Sequence, residues 1–325
     1  MTIAKSASTA LPQTNITFAP FTQDHLTDGL RMSQAVQWPH RAEDWALTLS
    51  VSDGVVAIAD GQVVGTALCS GFGAVATMNM IIVDAAMRGR GLGRELMERD
   101  IALGGTRELR LVATADGLPL YEKLGFQATG RILQHQGIAR SAKPELPVAT
   151  GTTEDIARLA QMDTAASGLS RDALLATIAA GGEVLVHQDG FAMVRSFGRG
   201  KVVGPIVAKD DATARALMAE AASRCAGQFL RVDLVEESGL AGYAQDLGLD
   251  HAGGGIDLKF FCRVEKQRRI GFWGQIQLLN GENIGAATVP KLAAGQFQLD
   301  LFGTRIGSDA TRLVEPVQHG MHALN

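Results

Sequence analysis

Arg88, Gly89, Arg90, Gly91, Leu92, Gly93 and Arg94 interleave glycine with arginine along one short stretch, a combination of types suited to holding a phosphate. Glycine admits positive φ and lets the backbone approach a ligand with no Cβ in the way. Successive amides turned inward at a helix N-terminus cradle an anion. Met80, Ile81, Ile82 and Val83 just before them form an apolar run of strand length, and after Gly91 the residues Leu92, Leu96 and Leu103 recur at helical spacing. The change of period falls on the glycines. Two other phosphate loops are excluded: in a G-x-G-x-x-G fingerprint the third glycine falls on Leu96 counting from Gly91 and on Arg94 counting from Gly89, and the G-K-[ST] of a Walker loop does not occur.

The spacing Arg88-x-x-Gly91-x-Gly93, directly after an apolar strand ending in Val83, resembles the pyrophosphate loop of the GNAT superfamily of acyl-CoA N-acyltransferases. Some way downstream, Leu120-Tyr121-Glu122-Lys123-Leu124-Gly125-Phe126 resembles the helix and strand start that close a GNAT domain. Trp38 and Trp45 add a likeness to a subgroup that carries a second acetyltransferase-like copy behind the first. The resemblance implies acetyl-CoA as co-substrate, with Ile81, Ile82 and Val83 pairing with the pantetheine arm and acyl carbonyl. It places Arg88, Gly89, Arg90, Gly91, Leu92, Gly93 and Arg94 on the pyrophosphate. It makes Tyr121 the general acid for the departing sulfur and puts Trp38 over the acceptor pocket. One departure stands out: many family members carry an Asn just before the tyrosine helix, where this chain has Ala113-Thr114-Ala115-Asp116-Gly117.

Amide formation from a thioester needs a neutral amine, a polarised carbonyl and a proton for the thiolate. A phenol of pKa about 10 stays protonated at neutral pH beside a thiol of about 8.5, which suits Tyr121 to the last task. The base is open among Glu43, Asp44, His40 and Asp84, all on segments that can line the pocket, and Glu43 is the candidate carried forward. The expected function is transfer of an acetyl group to a primary amine of a small molecule; a protein N-terminus or lysine is the alternative acceptor. The rival reading is a non-catalytic acyl-CoA sensor or scaffold.

These residues need a sheet and helices to hold them. Strands are expected over 15–18, 55–59, 63–68, 76–83, 108–113 and 126–133, with Asp60-Gly61 as a hairpin turn between the second and third. Helices are expected after Thr22, around the Trp38-Pro39-His40 bend, after Gly91 and over 118–124. Trp45 reads as a core anchor. Beyond a linker at 141–148 with two prolines, the same order of elements repeats, which predicts a tandem duplication. In the second copy, Asp210 and Asp211 stand where the first has its glycine loop and would repel a pyrophosphate, and Tyr243 and Gly248 are one residue further apart than Tyr121 and Gly125. The fold class is therefore α/β (α+β): two GNAT-like domains, each a mixed, mostly antiparallel twisted sheet with helices on both faces, the second degenerate. The expected boundaries are a tail at 1–14, a catalytic domain at 15–140, the linker, a degenerate domain at 149–262 and an extension at 263–325. His251-Ala252-Gly253-Gly254-Gly255 reads as a turn, and 273–279 and 296–302 as strands.

Composition narrows the rest. A chain of 325 residues suggests two domains, and a net charge of −4 argues against a nucleic-acid surface. Cys69, Cys225 and Cys262 lack C-x-x-C pairing, so neither a disulfide framework nor a zinc site is indicated and a reducing cytoplasm fits. His319 and His322 do not make a metal motif, and no metal is expected. No apolar run approaches the ~20 residues that span a bilayer. The expected protein is cytoplasmic, a monomer or homodimer, with no membrane or nucleic-acid partner.

Overall fold

The structure is a computed structural model describing residues 15–261 and 304–306. The first half runs β1 (Ile16–Pro20), α1 (Leu26–Ala35), α2 (Ala42–Leu49), β2 (Ser52–Ala59), β3 (Gln62–Phe72), β4 (Val75–Val83), α3 (Leu92–Gly104), β5 (Glu108–Ala113), α4 (Leu118–Lys123) and β6 (Gln127–Ile138). The second repeats that order as β7 (Ala149–Thr150), α5 (Ile156–Ser167), α6 (Asp172–Gly181), β8 (Glu183–His187), β9 (Gly190–Phe197), β10 (Gly200–Ala208), α7 (Asp211–Arg224), β11 (Phe229–Val235), α8 (Ala241–Asp246) and β12 (Asp250–Phe261). A short strand, β13 (Thr304–Ile306), follows. The duplication expected from the order of elements is present, element for element.

The halves share one sheet of 13 strands, ordered β1-β2-β3-β4-β5-β12-β6-β11-β13-β10-β9-β8-β7. Its centre is an exchange. β12, the closing strand of the second half, pairs with β5 of the first through Ile256 opposite Ala113 and Leu258 opposite Leu111. β6, the closing strand of the first half, pairs with β11 of the second through His135 opposite Val232. β6 and β12 lie antiparallel to each other between them. Each half therefore completes the other's sheet.

Side chains follow the exchange into the cores. Leu258 of β12 is fully buried in the cluster of Met97, Leu109, Leu111 and Phe126 under α3 and α4. Phe72 and Val75, at the β3–β4 turn, belong to the same buried cluster as Leu159, Leu174 and Phe191 of the second half. Replacing such a buried leucine by alanine typically costs ~2–5 kcal/mol, so neither half is energetically separate. Trp45 is fully buried as expected; its Nε1 donates to Ser33 Oγ at 3.1 Å and its ring stacks on Phe21. The Asp60-Gly61 hairpin also forms, with φ of 50° and 79° at the two corner residues.

One local expectation is corrected. The segment His251 to Gly255 is not a turn but the start of β12, hydrogen-bonded to β6 across a bulge between His251 and Gly253. Gly254 has φ 155° and its Cα faces the Ile132 carbonyl so closely that a side chain would strike it. The glycines serve close strand packing rather than chain reversal. Among the described residues no helix is long and apolar enough to cross a membrane. The expected strands at 273–279 and 296–302, Cys262 and the His319 and His322 pair lie outside the described residues.

Candidate active site

β4 and β5 run parallel and pair only at Val75 with Glu108, Ala76 with Leu109 and Thr77 with Arg110. Beyond Thr77 the two strands part. The register of β4 on β3 slips between Thr66 and Leu68, and Met80 takes φ 49° at that bulge, its carbonyl held by Thr66 Oγ1 at 2.7 Å. The slip turns the remainder of β4, with Ile81, Ile82 and Val83, into one wall of an open cleft.

At the mouth of the cleft the chain enters the glycine loop. Asp84 caps a single turn, its Oδ1 accepting from the Ala86 amide at 3.0 Å, and Met87 is buried in the core and anchors the loop from below. Gly91, at φ 83°, then starts α3, whose first hydrogen bond runs from the Glu95 amide to the Gly91 carbonyl at 3.1 Å. Among the described residues, no group accepts a hydrogen bond from the backbone amides of residues 89–94. These donors lie at a helix N-terminus, where partial positive charge accumulates. Arg88, Arg90 and Arg94 surround them with exposed side chains. Amides without acceptors beside three cations fit a diphosphate.

Two cavities flank this strand end and share Gln37. One, of about 360 Å³, follows Ile82, Val83, Asp84 and Arg88 beneath α1. The other, of about 320 Å³, is bounded by Asn79, Met80 and Ile81 of β4, Val112 of β5, Thr114 just past its end, and Tyr121. The first leads from the loop, and the second lies where a reacting group would arrive.

Tyr121 is 7% exposed, with its ring edge-on to Phe126, and it lines the second cavity. Burial, helped by the Asp100 carboxyl beneath, raises its phenol above the ordinary value. It is therefore protonated at any physiological pH. Asp100 is itself fully buried, and burial pushes its carboxyl well above the usual carboxylate range.

Of the base candidates, His40 and Asp44 line the same cavity, with Trp38 beside His40. Asp84 lines the other cavity, and Glu43 is exposed and outside both linings. Asp44 is bound rather than available. Burial works against its charge, but the Arg41 side chain and amide, the Gly198 amide and the nearby Arg195 charge together hold its carboxyl below its ordinary pKa.

The opposite wall comes from the second half, which the sequence reading expects to pack on the first domain, shape the acceptor site or dimerise, without naming any residue of it for the site. Arg195 and Phe197 of β9, Arg231 and Asp233 of β11, and Gly254 and Gly255 of β12 all line the cavity. Arg231 Nε donates to both Asp233 oxygens at 3.0 and 2.9 Å, and the guanidinium groups of Arg195 and Arg231 both approach the Phe197 ring. The available signal was charge at alternate positions of otherwise apolar strands. The strand exchange is what delivers these residues.

The corresponding cleft of the second half is filled. β10 and β11 also pair for only a short way, from Lys201 with Leu230 to Val203 with Val232. Where they part, β13 lies between them, with Thr304 opposite Ile206 and Leu234, and Ile306 opposite Ala208. Asp210 there caps α7 by accepting from the Thr213 amide at 2.8 Å, which together with the Thr213 hydroxyl holds its carboxyl below the usual range. The amide that could meet a phosphate is spent on a carboxylate. Among the described residues no group of three or more His, Cys, Asp or Glu is placed to hold a metal ion.

Comparison with known proteins agrees with this geometry. Two models described as acetyltransferase (GNAT) domain match residues 51–128 and 159–253, one in each half. An uncharacterized N-acetyltransferase of Bacillus subtilis, YitH, is 28% identical over 233 residues, covering 66% of this chain and 80% of its own length. Among solved structures, a chain of Pyrococcus horikoshii assigned as an acetyltransferase superposes with TM-score 0.67 at 19% identity, covering 79% of this chain and 93% of that one. A tandem GNAT protein from the clavulanic acid biosynthesis pathway superposes with TM-score 0.55 at 14% identity, covering 76% and 98%. At those identities the structural matches establish the fold.

Proposed function

The chain belongs to the GNAT superfamily of acetyltransferases, with two such units in tandem, and on that premise we propose that it moves the acetyl group of acetyl-CoA to a primary amine of a small molecule. The observation that carries this reading is the run of unspent amides at 89–94, set at the mouth of the cleft between β4 and β5. A diphosphate there directs the pantetheine arm along Val83, Ile82 and Ile81, and the thioester reaches the cavity that Tyr121 lines.

The reaction is direct attack within a ternary complex. The amine nitrogen bonds to the thioester carbon, the carbon–sulfur bond breaks, the sulfur takes a proton from Tyr121, and the proton that the nitrogen loses passes to water, from which Tyr121 recovers its own. Among the described residues lining the cavity there is no serine or cysteine, which favours direct attack over an acyl-enzyme. The raised phenol makes Tyr121 a reluctant acid, but a thiolate leaving into the same enclosed site is destabilised too, so hydrogen-bond donation to the sulfur retains its value. A cavity of about 320 Å³ walled by both halves suits a small acceptor better than a protein chain.

The test is a thiol-release screen with acetyl-CoA across aliphatic amines, aralkylamines and amino sugars, paired with a calorimetric titration of coenzyme A. Release that depends on one class of amine supports the reading. Absence of coenzyme A uptake would remove it.

A further inference from the structure

A row of small polar side chains runs from α2 across the first half's sheet to the cavity: Thr48, Ser52, Ser70 and Asn79. Ser52 Oγ donates to the Thr48 carbonyl at 2.7 Å, which uses its hydrogen. In the 2.6 Å contact between Ser52 Oγ and Ser70 Oγ, Ser70 must therefore be the donor. With its own hydrogen used, Ser70 Oγ can only accept from Asn79, 2.9 Å away, so the Asn79 amide turns its nitrogen inward. The same nitrogen reaches the Thr77 carbonyl at 3.4 Å.

This relay fixes which way round the amide sits. Asn79 lines the cavity, is only 9% exposed, and lies next to the Met80 bulge from which β4 turns toward the thioester. Its Oδ1 is buried and accepts a hydrogen bond from no group among the described residues. A buried carbonyl oxygen without a donor is costly, and a ligand that brings an N–H offsets that cost. Neighbouring Asp44 offers no such opening. Its Oδ1 already accepts from Arg41 and Arg195, and its Oδ2 from Arg41 and Gly198.

We propose that Asn79 Oδ1 accepts a hydrogen bond from the N–H of the incoming amine and so sets its line of approach to the thioester carbon. The inference rests on the transferase reading above and adds to it the residue that orients the nucleophile. An amide oxygen removes no proton, so the role is positioning, and it is compatible with a neutral amine whose lone pair must stay free for attack.

The test compares Asn79→Leu, close in size but without an acceptor, with Asn79→Asp, whose protonated carboxyl can donate to Ser70 Oγ as the amide does and keep an acceptor toward the amine. The probes are acetyl-CoA with putrescine, phenethylamine and glucosamine, alongside coenzyme A titration and thermal melting of each variant. The expected result for Asn79→Leu is a loss in kcat/KM for the accepted amine of about tenfold or more, with coenzyme A affinity unchanged, since a lost acceptor acts on the amine alone. Asn79→Asp, kept neutral by burial, should stay within a few-fold of wild type at pH 7 and lose activity as its carboxyl ionises. Wild-type turnover in Asn79→Leu overturns the inference. So does an equal loss in Asn79→Asp, or a parallel loss of coenzyme A affinity, which would mark Asn79 as a support of β4. If the wild-type protein binds coenzyme A but acetylates none of the probes, the acceptor reading falls and this inference with it.

Discussion

Asp44 on α2 and Arg195 on β9 meet at 3.0 Å with side chains 3% and 8% exposed, joining the first half of the chain to the second beside the cavity that Tyr121 lines. Arg41 strengthens the joint, donating to Asp44 Oδ1 at 3.0 Å and to the Ser196 carbonyl at 3.1 Å. Asp44→Ala leaves Arg195 buried opposite an empty site, and breaking such a pair typically costs ~3–5 kcal/mol. The folded carboxyl is held below its ordinary value of 3.8, so the stability it contributes is present above that pH and lost as pH falls through the lower folded value. Urea unfolding of wild type and Asp44→Ala should therefore differ most at neutral pH and converge in strong acid.

Tyr121 separates an enzyme from a sensor. It packs in the core and lines the cavity, so Tyr121→Phe keeps the packing and removes one donor. Loss of a general acid lowers kcat by roughly a hundredfold or more. Coenzyme A affinity should stay unchanged, and steady-state rates with a parallel titration measure both. A Tyr121→Phe variant that turns over as wild type would favour another proton source.

The glycine loop is testable without an acceptor. Gly91 holds φ 83°, where a β-branched residue is strongly disfavoured. Gly91→Val should shift the loop, turn its amides away from the diphosphate and weaken coenzyme A binding about tenfold or more, read by calorimetry. The fold should survive, because a Cβ at Gly91 meets no atom within 4 Å.

How much of this was legible depends on how far apart the deciding residues lie. The Asp60-Gly61 hairpin and the loop after β4 are local chemistry, each readable within a few residues, and the tandem order follows from the succession of such local elements. The exchange of β6 and β12 is not local: both are closing strands in equivalent positions, and only the assembled sheet decides which half each completes. The site inherits that obscurity, since Arg195, Phe197, Arg231 and Asp233 reach the cavity only through the exchanged sheet. Glu43 and Asp44 are adjacent in sequence, but α2 buries Asp44, Trp45 and Thr48, so the face that carries the tryptophan also carries the buried carboxylate. That was readable from helical spacing once Trp45 was taken as core. The amide orientation of Asn79 depends on hydroxyls from β2 and β3, which no spacing encodes.

Asp100 offers a second pH dependence, of opposite sign. It is fully buried on α3, both carboxyl oxygens lack a hydrogen-bond partner among the described residues, and burial raises its pKa well above 3.8. Between the unfolded and folded values the native state holds a proton that the unfolded chain has lost, so stability falls as pH rises through that window, by up to ~1.4 kcal/mol per pH unit. Asp100→Leu removes the term. The variant should be more stable than wild type at pH 7, with the gain shrinking toward pH 4 in unfolding titrations. A gain that does not vary with pH would mean that the site is not titrating.

The exchange makes a prediction about separability. If each half were a self-contained domain, cutting the chain within 141–148 would release two folded pieces. In the structure the first half alone would leave β5 without β12, exposing the cluster of Leu109, Leu111 and Phe126 that Leu258 covers, and would leave β6 without β11 and β12. An uncovered strand edge beside an uncovered core recruits another chain. Residues 1–148 expressed alone should therefore aggregate or pair with a second copy through β6. Co-expression of 1–148 with 149–325 should restore a soluble complex and coenzyme A binding, because the second piece supplies β11 and β12. Size-exclusion chromatography with light scattering distinguishes these outcomes, and a stable monomer of 1–148 that binds coenzyme A would show that the exchanged strands are dispensable.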